Sequence, residues 1–151
     1  YGQFYTVKRE EVAPPFAAEA ECVLNDEQLA VYRMVRISSV ISREIVFFAT
    51  AERLDEALAQ RLVEAAWKEG EGRVEPGPNH RNTDIVLVIL ADRVEPEAAK
   101  CIKSSKRSRN YKLSFHGWSV LRAIAIETPS GGMTHNPMGQ NLKKLFSNIN
   151  F

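Results

Sequence analysis

The sequence predicts an α+β domain: a mixed, mainly antiparallel sheet of about five or six strands with three helices, in the order β-β-α-β-α-β-β-α. Three observations carry this. Residues 85–91 are unbroken apolar sequence, rich in Val and Ile, between Asp84 and Asp92. That stretch is too short for a typical buried helix and suits a central strand buried on both faces. Residues 55–69 place Leu58, Leu62, Ala65 and Ala66 on one helical face. Residues 48–57 and 90–98 share a pattern: a strand end, an Arg, an aliphatic residue, an acid, then a helix. Two successive β–α units imply some parallel pairing.

A chain of 151 residues has the length of one domain. It can bury enough surface to fold without metal or disulfide. No apolar run approaches the ~18 residues of a spanning helix, so no membrane partner is expected. Cys22 and Cys101 lie far apart without a partner motif, which reads as free thiols in a reducing cytoplasm.

Residues 1–25 read as an N-terminal arm, with 4–12 as a candidate edge strand. The Pro14-Pro15 pair argues against a helix there. The single α+β domain is expected over 26–151. Partial alternation over 29–37, a polar stretch, and apolar 45–49 suggest a hairpin; a helix over 26–36 capped by Asp26 competes. The helix at 55–69 carries Asp55 as its cap and Glu64–Lys68 as a favourable pair, and Gly70 and Gly72 should end it. A loop follows over 72–83.

The next helix runs from Glu95 to about Lys106, with Pro96 at its first position. Residues 111–115 and 119–126 read as strands around His116-Gly117-Trp118. A turn over 128–132 follows, and 133–135 pair back briefly. Asn136 should cap a final helix beginning at Pro137. Its apolar stripe is Leu142, Leu145, Phe146 and Ile149. If the helices cover only one face, the apolar central strand predicts a homodimer that buries the other; the aromatic arm is a second candidate cover.

His80 and Thr83 lead into the aliphatic strand. Gly117-Trp118 with Arg122, then Asn136, Gly139 and Lys143-Lys144, follow the Lys-rich helix. On these residues the stretch 80–146 resembles an uncharacterised family of small bacterial proteins. The resemblance implies no activity.

Charge is uneven. Residues 1–98 hold 11 Lys/Arg against 18 Asp/Glu, whereas residues 99–151 hold 9 against Glu127 alone. The run Lys100, Lys103, Lys106, Arg107, Arg109 and Lys112, with Trp118 as a stacking residue, is the candidate polyanion-binding surface. Tyr111 and Phe115 could stack bases or serve as core strand residues. The leading expectation is therefore a non-enzymatic module binding polyanions, including nucleic acid. The alternative is a structural domain whose basic half meets its own acidic half, an acidic protein, or a second subunit.

Catalytic signatures are weak. His80, His116 and His135 lack metal-ligand spacing, and there is no phosphate loop or nucleophile elbow. No metal, cofactor or catalytic residue is assigned. Cys101 reads as an inert thiol within a helix. A metal-dependent nuclease would require Glu44, Asp84 and Glu127 to converge. Arg53 and Arg93 stand at the strand-to-helix crossovers, where α/β folds bind anions.

Overall fold

The computed structural model describes residues 5–25 and 41–149. The first strand of the predicted hairpin (29–37) and its helical alternative (26–36) lie outside the described residues. The strands are β1 (Thr6–Lys8), β2 (Ala18–Asn25), β3 (Ile41–Leu54), β4 (His80–Val94), β5 (Ser108–Asn110), β6 (Trp118–Glu127) and β7 (Gly132–His135). The helices are α1 (Glu56–Gly72), α2 (Pro96–Ser104) and α3 (Gln140–Phe146), the last entered through a 3₁₀ turn at Pro137–Gly139. The sheet order is β1-β2-β3-β4-β6-β5, and β7 pairs with β6.

The sheet is mixed rather than mainly antiparallel. Its long central pairings, β3 with β4 and β4 with β6, are parallel. The cause is connectivity: α1 and α2 carry the chain back across the sheet, and a helical crossover returns a strand in the same direction. Antiparallel pairing is confined to β1, β2, β5 and β7.

β4 is the central strand, buried on both faces, and it extends beyond 85–91 in both directions. Ile85, Leu87, Ile89 and Ala91 face α1 and α2, together with Ile45, Phe47, Leu121 and Ala123. Val86 and Val88 face the other way, with Val46, Ile124, Ile126 and Leu142 of α3. The helices therefore divide between the two faces. No helix among the described residues is long and apolar enough to cross a membrane.

Asp55 caps α1, its carboxylate accepting from the Leu58 amide at 2.8 Å. Gly70 does not stop this helix. A Cβ there would lie 2.7 Å from the Ile85 side chain, so Gly70 lets the last turns of α1 approach β4 closely. Residues 18–25, read above as arm, form β2 and pair along β3. The buried Glu19 accepts from Arg73 at 2.8 and 3.0 Å and from the Ala13 amide, which joins this edge to the end of α1. These donors hold the Glu19 carboxyl below its ordinary range, with Arg73 the chief cause.

The segment 111–115 is a turn, not a strand. Lys112, Leu113 and Ser114 have φ of 45°, 52° and 71°. A left-handed L-residue costs about 1–2 kcal/mol, so extended pairing here is replaced by a strained but hydrogen-bonded turn. Its base is anchored by His80, whose Nδ1–H donates to the His116 carbonyl (2.8 Å) and whose Nε2 accepts from the Thr83 hydroxyl (2.9 Å). Gly117, with φ +83°, fits because a Cβ would lie 2.5 Å from the Arg81 carbonyl.

Asn136 makes no side-chain cap bond to the 3₁₀ turn. Fully buried, it donates to the Ser105 and Leu121 carbonyls and accepts from the Ala123 amide. It ties the end of α2 to β6. Asn136→Ala should cost at least about 3 kcal/mol, because it strands three buried backbone groups. Urea unfolding measures this; a loss below about 1 kcal/mol would mean that water replaces the amide.

Candidate functional site

Three neighbouring strands repeat one pattern on the face opposite α1 and α2. Glu44 precedes Val46 and Phe48 on β3, Asp84 precedes Val86 and Val88 on β4, and Arg122 precedes Ile124 and Ile126 on β6. Strand alternation puts each set on one face. Register then aligns Cys22, Glu44 and Asp84 in a row across the sheet, with Ala20, Val46 and Val86 in the next. Arg122 stands beside Val86 and reaches back to Asp84, N···O 2.8 Å.

The polar row is partly closed on itself. The Tyr5 hydroxyl donates to Glu44 at 2.9 Å, and Asn82 links the Ser42 hydroxyl to Asp84. Burial raises the Glu44 carboxyl above its ordinary value, against the Tyr5 hydrogen bond, and the nearby Asp84 adds to the rise. Asp84 is also raised, by burial, although Arg122 opposes this. Arg122 Nε is buried without a hydrogen-bond partner among the described residues.

From this row a groove of about 720 Å³ extends over the apolar face. Ala18, Ala20, Val46, Phe48, Val86 and Val88 contribute its sheet side. Leu142, Leu145, Phe146 and Ile149, the stripe predicted for the last helix, form a wall. Leu145 and Ile149 remain nearly half exposed. Glu44 is the carboxylate of this lining, and Arg9 stands at its exposed rim.

The predicted basic surface is dispersed by comparison. Lys100 pairs with Glu97, Arg107 with Glu64, and Arg109 with Glu71. Lys103, Lys106 and Lys112 are exposed, and their side-chain ammonium groups make no hydrogen bond or ion pair among the described residues. Trp118 lies on the face of Asn82 and Arg122, whereas Arg109 aligns with Ser119 on the opposite face. Tyr111 is used structurally: its hydroxyl meets Glu71 and Ser119, and its pKa is pushed up to about 12, chiefly by burial. Phe115 is exposed, not a core strand residue.

Other candidates resolve into structure. Glu127 lies at the far end of the sheet, where it accepts from the Val94 amide and Ser130. It does not converge with Glu44 and Asp84, so the nuclease arrangement is not assembled. Arg53 is engaged by Glu95 at the crossover instead of being open to an anion. The Cys101 thiol is pushed up by burial and by Glu56, against the activation a nucleophile needs.

A model for a domain of unknown function, DUF8052, matches residues 1–148. The chain belongs to the DUF8052 family. This span contains the whole of 80–146, on which the family resemblance rested, and it assigns no activity. Comparison with curated proteins and with solved structures returns no match. In this DUF8052 chain, His80, Thr83, Gly117, Asn136 and Gly139 build joints between elements, while Arg122 enters the polar row.

In the sequence, Glu44 and Asp84 stand out as strand-end acids that a metal-dependent nuclease would bring together with Glu127. Tyr5 and the groove do not stand out there. The available signal was the repeated spacing of a charge followed by two apolar residues, at i, i+2 and i+4, on three strands.

Glu44→Gln should stabilise the fold at pH 7.5. The folded state holds the Glu44 proton more tightly than the unfolded chain does, so ionisation at neutral pH opposes folding. The gain should shrink as pH falls through the raised value toward the ordinary 4.5, measured by urea unfolding across that interval. Asp84→Asn should likewise not destabilise the fold at pH 7.5, because burial raises the Asp84 carboxyl in spite of its Arg122 ion pair; a loss on urea unfolding would mean that the ion pair outweighs burial.

Proposed function

We propose that the protein is a non-enzymatic binding module whose groove takes an elongated amphipathic small molecule with a cationic head. The carrying observation is the placement of Glu44 at one end of an otherwise largely apolar groove. Its volume falls within the ~300–1,000 Å³ typical of small-molecule sites. The ligand's apolar body would lie against Val46, Val86 and Val88, with its head at Glu44.

Charge selects the head group. A carboxylate head would add a further negative charge beside Glu44 and Asp84. A purely apolar ligand would desolvate Glu44 further without giving it a partner. A cation relieves both problems, and Arg122 is already engaged by Asp84. The free thiols of Cys22 and Cys101 support placing this activity in a reducing, cytoplasmic setting.

Calorimetric titration below the micelle concentration tests the proposal with dodecyltrimethylammonium, dodecanol and dodecanoate. Saturable binding should favour the ammonium compound. Glu44→Gln should erase roughly tenfold of its preference over the alcohol, the scale of one charge-assisted contact. An unchanged preference, or no saturable binding, overturns the proposal. Sedimentation of the same samples identifies a dimer that buries the groove, which would equally overturn it.

Polyanion binding is a second reading, supported by the exposure of Lys103, Lys106 and Lys112 without partners among the described residues. Labelled DNA and RNA should then bind with a steep salt dependence that is lost when all three lysines become Ala. Absence of binding at low salt removes this reading.

A further inference from the structure

We propose that the turn at 111–117 is a contact surface for an anionic lipid bilayer. Leu113 and Phe115 enter the interfacial region, and Lys112 meets the headgroups. The inference is independent of the groove.

Leu113 is 90% exposed and Phe115 81%. A loose loop could fold such side chains back, but this turn is held open. Phe115 N–H donates to the Lys112 carbonyl, His116 N–H to Tyr111, Gly117 N–H to Ser114, and Tyr111 N–H to Gly117. His80 fixes the base through the His116 carbonyl, and the Tyr111 hydroxyl donates to Glu71. The chain thus accepts three consecutive left-handed residues while presenting two large apolar side chains to water. Strain of this kind is retained where the surrounding structure enforces it, commonly for function.

The chemistry favours lipid over nucleic acid. The most exposed side chain is aliphatic and has no π-face on which a base could stack. An aliphatic and an aromatic residue beside a lysine suit the boundary between acyl chains and anionic headgroups. Trp118, 40% exposed at the base of the turn, is a residue type enriched at that depth. Arg109 pairs with Glu71, whereas the Lys112 ammonium group has no partner among the described residues.

Flotation with vesicles of phosphatidylcholine alone, or with three parts in ten phosphatidylserine, tests this. The protein should float with the anionic vesicles and bind the neutral ones weakly. Leu113→Ser with Phe115→Ser should reduce binding ~10-fold or more, because both apolar insertions are lost. Lys112→Gln should weaken binding and reduce its salt dependence. Leu113→Gly removes one insertion while accommodating positive φ, so it should weaken binding, by less than the double variant, without losing thermal stability. Equal flotation of wild type and the double variant overturns the proposal, as does no flotation with anionic vesicles. Binding of a single-stranded oligonucleotide that depends on Phe115, without vesicle binding, also overturns it and assigns the turn to nucleic acid.

Discussion

Burial of β4 on both faces is the constraint from which the architecture follows. A strand carrying Ile85, Leu87 and Ile89 on one side and Val86 and Val88 on the other needs cover above and below the sheet. Helices α1 and α2 provide one layer because they are the crossovers between parallel strands. Among the described residues the second layer is α3, whose seven residues reach over β6 and part of β4. The groove lies beside α3, over Ala18, Ala20, Val46, Phe48, Val86 and Val88.

The same sheet sets the electrostatics. Neighbouring strands in register bring Glu44 and Asp84 together, although a long stretch of sequence separates them. Two carboxylates at one buried row cannot both ionise cheaply, and Arg122 answers only one of them directly. Among the described residues, Glu44 has the Tyr5 hydroxyl as its hydrogen-bond partner and the groove beside it. A ligand cation would complete what the fold supplies only in part.

The charge asymmetry between the two ends of the chain is met in part by ion pairs within the molecule. Glu64 and Glu71, two turns apart on α1, meet Arg107 and Arg109 across the edge of the sheet. Glu71 also meets Tyr111 and Ser119, so this acid organises the approach to the turn that displays Leu113 and Phe115. Two of the six residues of the predicted basic run, Arg107 and Arg109, are thereby committed to holding β5 and its turn against α1.

Periodicity and local chemistry determined much of the fold: the α1 cap at Asp55, the central position of β4, the β–α steps and the apolar stripe after Asn136 were legible because each depends on neighbours in sequence. The parallel direction of the central strands, the passage of α1 through Gly70 and the buried role of Asn136 depend on partners far along the chain. The left-handed turn at 112–114 contradicts local propensity, so only its anchors at His80 and Glu71 account for it. The candidate site was half legible. Its acids were visible as strand ends, but alternation alone does not state which strands are neighbours or in what register. Tertiary pairing decided that, because hydrogen-bonded register converts a shared period into a shared face.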